Sequence, residues 1–382
     1  MAMLVLVLGR PLQLSQAGEP AVFVHPGVLH SRADLDRMKT MVARGTQPWH
    51  SAFECLQRHT QSQSDWRLRG PFPSVSRGPR DSRHISEMDQ DANAAYQNAL
   101  MWSITSKEAH ARKAVEILNA WSATLTEIVG KDKELGASLG GFKFVNAAEI
   151  IARTYPAWQP GDRARCRRMF RTVFFPVVKD AAPFANGNWG AGCIKMTMGI
   201  GVFCDDRAIF DRGVDYFYHG TGNASLTHYV INAAGQCQES GRDQQHAQLG
   251  LGHLAEVCEI AWNQGLDLYG AADNRLLRGF EYTAQYNLGF DVPFVAHRDT
   301  AGKYAWKVIA PDGRGGLRPI YEMVFNHYAK RCGLVAPFTR QAAEKIRPEG
   351  AAQDADHPGF GTLLWTQSAA DDQGTRSSRA AE

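Results

Sequence analysis

Apolar positions along this chain recur mostly at spacings of three and four, the period of a helix that buries one face. From residue 25 onward they mark out a succession of helices. The stretch HPGVLHSRADLDRMKTMVARG (25–45) predicts a turn and then a helix, with Ser31 as N-cap, Asp34 three residues on, and Gly45 at its end. QPWHSAFECLQRH (47–59) continues as a second helix, and residues 60–88 form a long polar loop carrying Arg67, Arg69, Arg77, Arg80 and Arg83. DANAAYQNALMWSITS (91–106) and KEAHARKAVEILNAWSATL (107–125) are dense in strong helix formers. LGASLGGFKFVNAAEIIARTYPAW (135–158) reads as a Gly-rich turn leading into a helix, and GDRARCRRMFRTVFFPVV (161–178) as a helix with its basic face outward. FANGNWGAGCIKMTMGIGVFCDD (184–206) begins with a turn and becomes an apolar helix, followed by helices in 207–222 and 274–289.

Amphipathic segments alternate with segments that are apolar nearly all round. A ring of inner and outer helices produces that alternation. The expected fold is all-α: a single-domain (α/α) toroid, an incomplete α/α barrel, with irregular loops and short strands toward its C-terminal part, where residues 290–365 lose the helical period. There is no βαβ alternation and no phosphate-cradling glycine loop. The domain is expected over residues 19–365. Residues 1–18 read as the remnant of a signal peptide, which implies a secreted or periplasmic protein. Residues 366–382 are polar and read as a disordered tail.

One stretch departs from the usual amphipathic helix. In ESGRDQQHAQLGLGHLAEVCEIAWNQG (239–265), Ala247, Leu251, Leu254, Ala255, Cys258 and Trp262 share one face. On roughly the opposite face lie Arg242, His246, Leu249 and His253, where a solvated helix would carry Lys and Glu. This pattern predicts an inner helix that borders a polar cleft.

Composition narrows the choice of partner. The net charge is +3 with Lys and Arg dispersed, which argues against nucleic acid, and no other segment approaches the length of a membrane span. Nine Trp and eleven Tyr suit either a carbohydrate cleft or a large helical core. The seven Cys show no CxxC pair and no zinc spacing; they are expected as small buried hydrophobes, with room for one disulfide.

Four clusters carry candidate chemistry. In Asn186-Gly187-Asn188-Trp189-Gly190, amides stand between glycines just before an apolar helix, as a capping turn or as an amide aimed into a cleft. Arg242 and His246, four apart, lie side by side, with His253 further along. Tyr282, Tyr286, Tyr304 and Tyr321 supply phenols. His297-Arg298, Arg314 and Arg318, near Lys303-Tyr304, form a basic set.

Amide, Arg, His and Tyr together suit β-elimination from a uronate. Hydrogen bonds that neutralise the carboxylate stabilise the enolate formed when the α-proton leaves, and a phenol can act as base and acid. No metal or cofactor is required in principle. Glycoside hydrolysis on the same toroid would need two cleft carboxylates, for which Asp89, Glu149, Glu239, Asp243 and Glu281 are candidates. A non-catalytic protein that binds acidic polysaccharide is the other alternative.

With these residues in view, the chain resembles the alginate-lyase-like polysaccharide lyases, most strongly in ESGRDQQHAQLGLGHLAEVCEIAWNQGLDLYG and NRLLRGFEYTAQYNLGFDVPF, with support from NGNWG and GRGGLRPIYEMVFNHY. The resemblance implies a helical toroid, an acidic polysaccharide (alginate or β-1,4-glucuronan) as partner, and eliminative cleavage. It implies Asn188 as carboxylate neutraliser, His246 as a further neutraliser or base, Tyr304 as catalytic phenol and Arg298 as its support. Arg242, Trp189, Tyr286, His253, Arg318 and Tyr321 would contact substrate. The Asn-His dipeptide of some related lyases is absent, because Trp189 follows Asn188.

Overall fold

The structure is a computed structural model that describes residues 22–352 and 356–367. The expected leader, and all but the first two residues of the expected tail, lie outside the described residues. Helices α1 (Arg32–Ala43) and α2 (Trp49–Arg58) open the fold. Ser31 caps α1, and Asp34 closes a reciprocal capping box as expected. Then come β1 (Ser74–Ser76), α3 (Ile85–Thr105), α4 (Glu108–Thr124), β2 (Glu127–Val129), α5 (Lys133–Thr154), α6 (Pro160–Met169), a π-turn and α7 (Phe175–Val178). The chain continues with α8 (Gly187–Phe203), α9 (Arg207–His219), α10 (Leu226–Tyr229), α11 (Gln244–Asn263) and α12 (Ala271–Asn287). After a hairpin of β3 (His297–Arg298) and β4 (Ala305–Trp306), three helices finish the described chain: α13 (Tyr321–Phe325), α14 (Pro337–Ile346) and α15 (Gly361–Trp365).

α3, α5, α8 and α11 pack in sequence as the inner wall, and α4, α6, α9 and α12 flank them. Burial follows the sequence pattern. In α5 every residue from Leu135 to Ile151 is buried, whereas α4 buries only a stripe that includes Ala111, Ala114, Leu118 and Trp121. One hydrophobic core runs from Val28 to Trp365. This is the expected α/α toroid; of its two short sheets, β3–β4 falls in the C-terminal part as expected, whereas β1–β2 pairs segments from the N-terminal part.

One expectation fails locally. The glycines at 136, 140 and 141 sit inside α5 rather than in a turn before it. A Cβ on Gly141 would come within 2.7 Å of the Phe174 ring, so glycine there serves close helix packing, not a bend. All seven cysteines are free, five of them buried, so the disulfide left open by the sequence does not form. Among the described residues no helix is long and apolar enough to cross a membrane.

α5 and α8 run in the same direction: Leu135 and Leu139 pack on Trp189 near both N-termini, and Arg153 approaches Asp205 at both C-termini. α11 starts at the same end as α8, which the site below makes plain.

Candidate active site

The N-terminus of α8 leaves backbone N–H groups without helical partners. The preceding Asn186 side chain does not cap them. Instead, Gly187 N–H donates to Gln238 Oε1 at 3.1 Å and Asn188 N–H to Glu239 Oε2 at 3.0 Å. A carboxylate is well placed at the positive end of a helix. Asn188 Nδ2 also donates to both oxygens of Glu239, at 2.7 and 2.9 Å. The fully buried Glu239 accepts as well from Arg242 Nη1 at 2.7 Å. Burial, and then the Glu239 charge, hold the nearby Tyr229 phenol well above its ordinary pKa.

Asp243 begins α11. Its Oδ1 accepts the His246 N–H at 2.7 Å as an N-cap, and its Oδ2 lies 2.6 Å from His246 Nδ1. Arg242 Nη2 lies 3.1 Å from His246 Nε2. Since a guanidinium can only donate, Nε2 is the acceptor and the ring proton sits on Nδ1, facing Asp243. Burial raises the Asp243 carboxyl, but the His246 bonds and Arg242 more than offset it and hold it below the usual range. Glu239 and Asp243 therefore anchor from beneath a guanidinium and an imidazole whose side chains remain 27% and 37% exposed.

The β3–β4 hairpin stands beside this pair. Trp306 packs so tightly on Gly241 that a Cβ there would lie 2.3 Å from Trp306 Cβ. Tyr304 is parallel to Trp306, with ring centroids 6.4 Å apart. Asp299 ties the hairpin down: Oδ1 accepts the Tyr304 N–H at 2.8 Å and Oδ2 accepts from Asn223 at 3.0 Å. Lys303 donates to the Phe184 carbonyl at 3.0 Å, and Phe184 meets Trp189 edge-on. Phe184, Trp189 and Tyr304 thus supply aromatic surface near the same end of the inner helices.

The structure separates the four phenols. Tyr282 is buried with its hydroxyl on the Pro293 carbonyl, and Tyr286 is buried beneath the Arg314 guanidinium. Tyr321 is fully buried, donates to Gln248 Oε1, and is raised above its ordinary pKa by burial. Tyr304 alone of the four keeps a half-exposed ring. The substrate contacts expected of Tyr286 and Tyr321 are therefore not available; both belong to the packing around α12 and α13.

Other expectations also need correction. Antiparallel pairing sets Arg298 opposite Ala305 and His297 opposite Trp306. Because side chains alternate along a strand, Arg298 leaves the hairpin on the face away from Tyr304 and Trp306, and it donates to the Gly302 carbonyl. It is His297 that shares the Tyr304 face. Asn188 is sealed from solvent, so its observed part is to hold Glu239 rather than to meet a sugar directly. Arg318 pairs with Asp356 at 2.5 Å.

His253 is fully buried, not cleft-facing. His246, in the first turn of α11, is partly exposed, and His253 lies seven residues on, about 10 Å further along the helix at 1.5 Å per residue. There Lys195 Nζ lies 2.9 Å from His253 Nδ1 and 2.5 Å from Glu256 Oε2, while His357 Nδ1 lies 3.0 Å from Glu256 Oε1. His253, Glu256 and His357 have the donor types and closeness of a metal site. The Lys195 ammonium, bonded to two of them, already supplies a cation. Burial, then Lys195, push His253 down to about 3. Burial raises Glu256, but Lys195 and His357 outweigh it and hold the carboxyl well below its usual range.

Beside this end of the ring, a cavity of 740 Å³ opens at the starts of α3 and α5, lined by residues that include Arg77, Asp89, Asn93, Gln97, Asp132 and Asp356. Its size is that of a small-ligand site. The carboxylates that hydrolysis would draw on are engaged within the fold. Glu149 meets His25, Glu239 meets Asn188 and Arg242, Asp243 meets His246, and Glu281 accepts from the Phe338 and Thr339 N–H groups that start α14.

A model of the alginate lyase family matches residues 56–291, more than half of the chain and all of the Asn188–Glu239–His246 region. The chain belongs to the alginate lyase family. It is a polysaccharide lyase. Among solved structures, alginate lyase A1-III from Sphingomonas species A1 superposes with a TM-score of 0.63 at 13% identity, covering 88% of this chain and 95% of that one. An alginate lyase from Bacteroides ovatus gives 0.61 at 13% identity, over 90% and 100%. A substituted A1-III complexed with tetrasaccharide gives 0.58 at 15% identity, over 91% and 98%. At such identities the likeness establishes the shared toroid. A sequence comparison with curated proteins finds no match.

Within this lyase, Glu239 is the residue that sequence reasoning undervalued, naming it only as a hydrolase carboxylate. The signal available was its place three residues before Arg242, but its bond to Asn188 spans 51 positions. Asp243 was legible as a helix N-cap three residues before His246. Glu239→Gln keeps the shape, removes the charge that anchors Arg242 and replaces one of two acceptor oxygens with a donor that must face Asn188 or Arg242. We expect kcat/KM to fall roughly 10- to 100-fold, the scale of a small misplacement of a catalytic group, measured at a temperature where the variant is fully folded. Activity within twofold of wild type would show that Glu239 does not position the site.

Proposed function

We propose that the lyase cleaves a β-1,4-linked polyuronate, glucuronan or mannuronate-rich alginate, by β-elimination that leaves a 4,5-unsaturated uronate at the new end. The observation that carries this reading is the half-exposed Arg242–His246 pair, held from beneath by Glu239 and Asp243, with the half-exposed phenol of Tyr304 on the adjoining hairpin. Arg242 offers a fixed positive charge to the uronate carboxylate, which favours the enolate that develops as the proton leaves C5. Asn188 acts through Glu239, as part of the mount for Arg242. His246 adds the one basic nitrogen of the pair, held in a single tautomer by Asp243. In these polyuronates the C5 proton and the C4 oxygen lie on the same side of the ring. Tyr304 can then take the first as phenolate and return a proton to the second. The tetrasaccharide held by the related A1-III variant supports an oligosaccharide as the ligand of this cleft.

The test is incubation with alginate and with glucuronan while ultraviolet absorbance is followed. Rising absorbance with new reducing ends supports elimination. New reducing ends without absorbance would mean hydrolysis, and neither would mean a binding protein. The same assay ranks the two substrates. His246→Ala should cost about 2–4 kcal/mol of transition-state stabilisation, comparable to removing an oxyanion donor, seen as a fall in kcat/KM; an unchanged value would remove His246 from the site.

A further inference from the structure

We propose that the lyase carries a second polyuronate-binding groove at the end of the toroid opposite its cleft. Between the C-terminal ends of α5 and α8 and the outer face of α6 lies a cavity of 750 Å³, lined by Arg153, Arg163, Arg167, Arg168 and Arg171. Asp205 is the single carboxylate among its lining residues. Asp206 pairs with Arg171 at 3.4 Å and Glu149 stands 3.9 Å from Arg153, so the uncompensated positive charge of the groove rests on Arg163 and Arg168. The groove is remote from the chemistry. Asn188 and Phe203 stand at opposite ends of α8, fifteen residues apart, about 22 Å at 1.5 Å per residue.

Part of this basic set has a structural duty. Arg167 donates to the Phe203 carbonyl at 3.1 Å and Arg171 to the Cys204 carbonyl at 2.8 Å, closing the negative end of α8. Arg167 also pairs with Asp205 at 3.0 Å. That duty does not account for the others. Arg163 and Arg168 have no ion pair among the described residues. Arg153 reaches Glu149 and Asp205 only at 3.9 and 3.8 Å, and its Nε and Nη2, though shielded from water, have no hydrogen-bond acceptor. Guanidinium donors left unsatisfied in a cavity are suited to carboxylates, which they can bind through two bonds at once. Arg163, Arg167 and Arg171 recur every four residues, so their side chains follow one another along one face at roughly the 5–6 Å spacing of such neighbours. A row of this kind matches a polymer with one carboxylate per sugar better than it matches an isolated anion. No aromatic ring lines the groove, so recognition rests on charge rather than on stacking.

This inference rests on the proposed polyuronate substrate and adds a hold on the same polymer. A chain held at a second site raises the local concentration of its other segments at the cleft, which lowers KM for long polymer and leaves short oligosaccharides unaffected. The test compares wild type with Arg163→Glu/Arg168→Glu in native gels cast with alginate or with glucuronan, and in kinetics on long polymer and on a trisaccharide. Wild type should be retarded by the polymer, and the double variant at least threefold less. KM for polymer should rise roughly 3- to 10-fold with kcat and the trisaccharide kinetics unchanged, as expected for lost avidity. Equal retardation of both proteins, or none of either, overturns the groove. The milder Arg163→Gln/Arg168→Gln pair should shift both readings the same way and guards against a folding defect of the charge reversal. Failure of wild type to form unsaturated product from any polyuronate would instead sink the lyase's proposed substrate, which the gels do not measure.

Discussion

Tyr304→Phe should lower kcat by about 10³-fold or more, within the range that a group acting in proton transfer supplies, while KM for polyuronate changes little. The substitution removes a single hydroxyl. The ring, its parallel contact with Trp306 and the Lys303 ammonium 4.8 Å above it can all remain. Any loss is therefore chemical rather than structural, and melting at the wild-type temperature will verify that. The same assay on Tyr286→Phe and Tyr321→Phe provides the control. Both phenols are buried, so both variants should retain most of their turnover. Full activity in Tyr304→Phe, with loss in Tyr286→Phe, would transfer the acid/base role away from the hairpin.

The second large effect is on stability. Lys195→Met should lower the free energy of unfolding by about 3–5 kcal/mol, the usual consequence of removing one partner from a buried ion pair. Lys195 and Glu256 are each 1% exposed. Without the ammonium, the Glu256 carboxylate would remain buried between His253 and His357, and His253 Nδ1 would lose its closest donor. Part of the lost packing is the contact of Nζ with the Phe142 ring at 4.5 Å. Urea denaturation measures the change, and Lys195→Met/Glu256→Leu supplies the check: with both charges gone, much of the loss should return. A single variant as stable as wild type would mean that Glu256 takes up a proton at no cost, and that the ammonium is not what holds this centre together.

Both predictions arise from the same feature of the toroid. The inner helices begin at the cleft and run away from it, so each side chain's role depends on its depth along the helix. His246 stands in the first turn of α11, Arg242 reaches it from the turn just before the Asp243 cap, and both side chains stay partly exposed. His253, on the same helical face, lies two turns deeper and serves the buried ionic centre. A helical wheel gives direction around the axis but neither depth along it nor the point where the helix begins, so it sets Arg242 on a helix that starts only after Asp243, and His253 at a surface from which it is buried. The phenols show a similar limit. Tyr286 lies inside the residues that match the family and Tyr304 outside them, and nothing local to either indicates that Arg314 covers one while the other rides on an exposed hairpin.

The sequence by itself determined the helical toroid, because a period near 3.6 and the alternation of apolar with amphipathic segments are local properties that any packing must satisfy. The closeness of Arg242 to His246 was legible from their spacing of four, although Arg242 sits in the turn before the Asp243 cap and reaches His246 from there rather than along the helix. What only the tertiary structure decided are the relations across long separations. Glu239 reaches Asn188, Lys195 reaches Glu256, and the hairpin strand at Trp306 settles on Gly241. The physical reason is that a buried charge must find its counter-charge in space, and the chain leaves no periodic mark of where that partner will be.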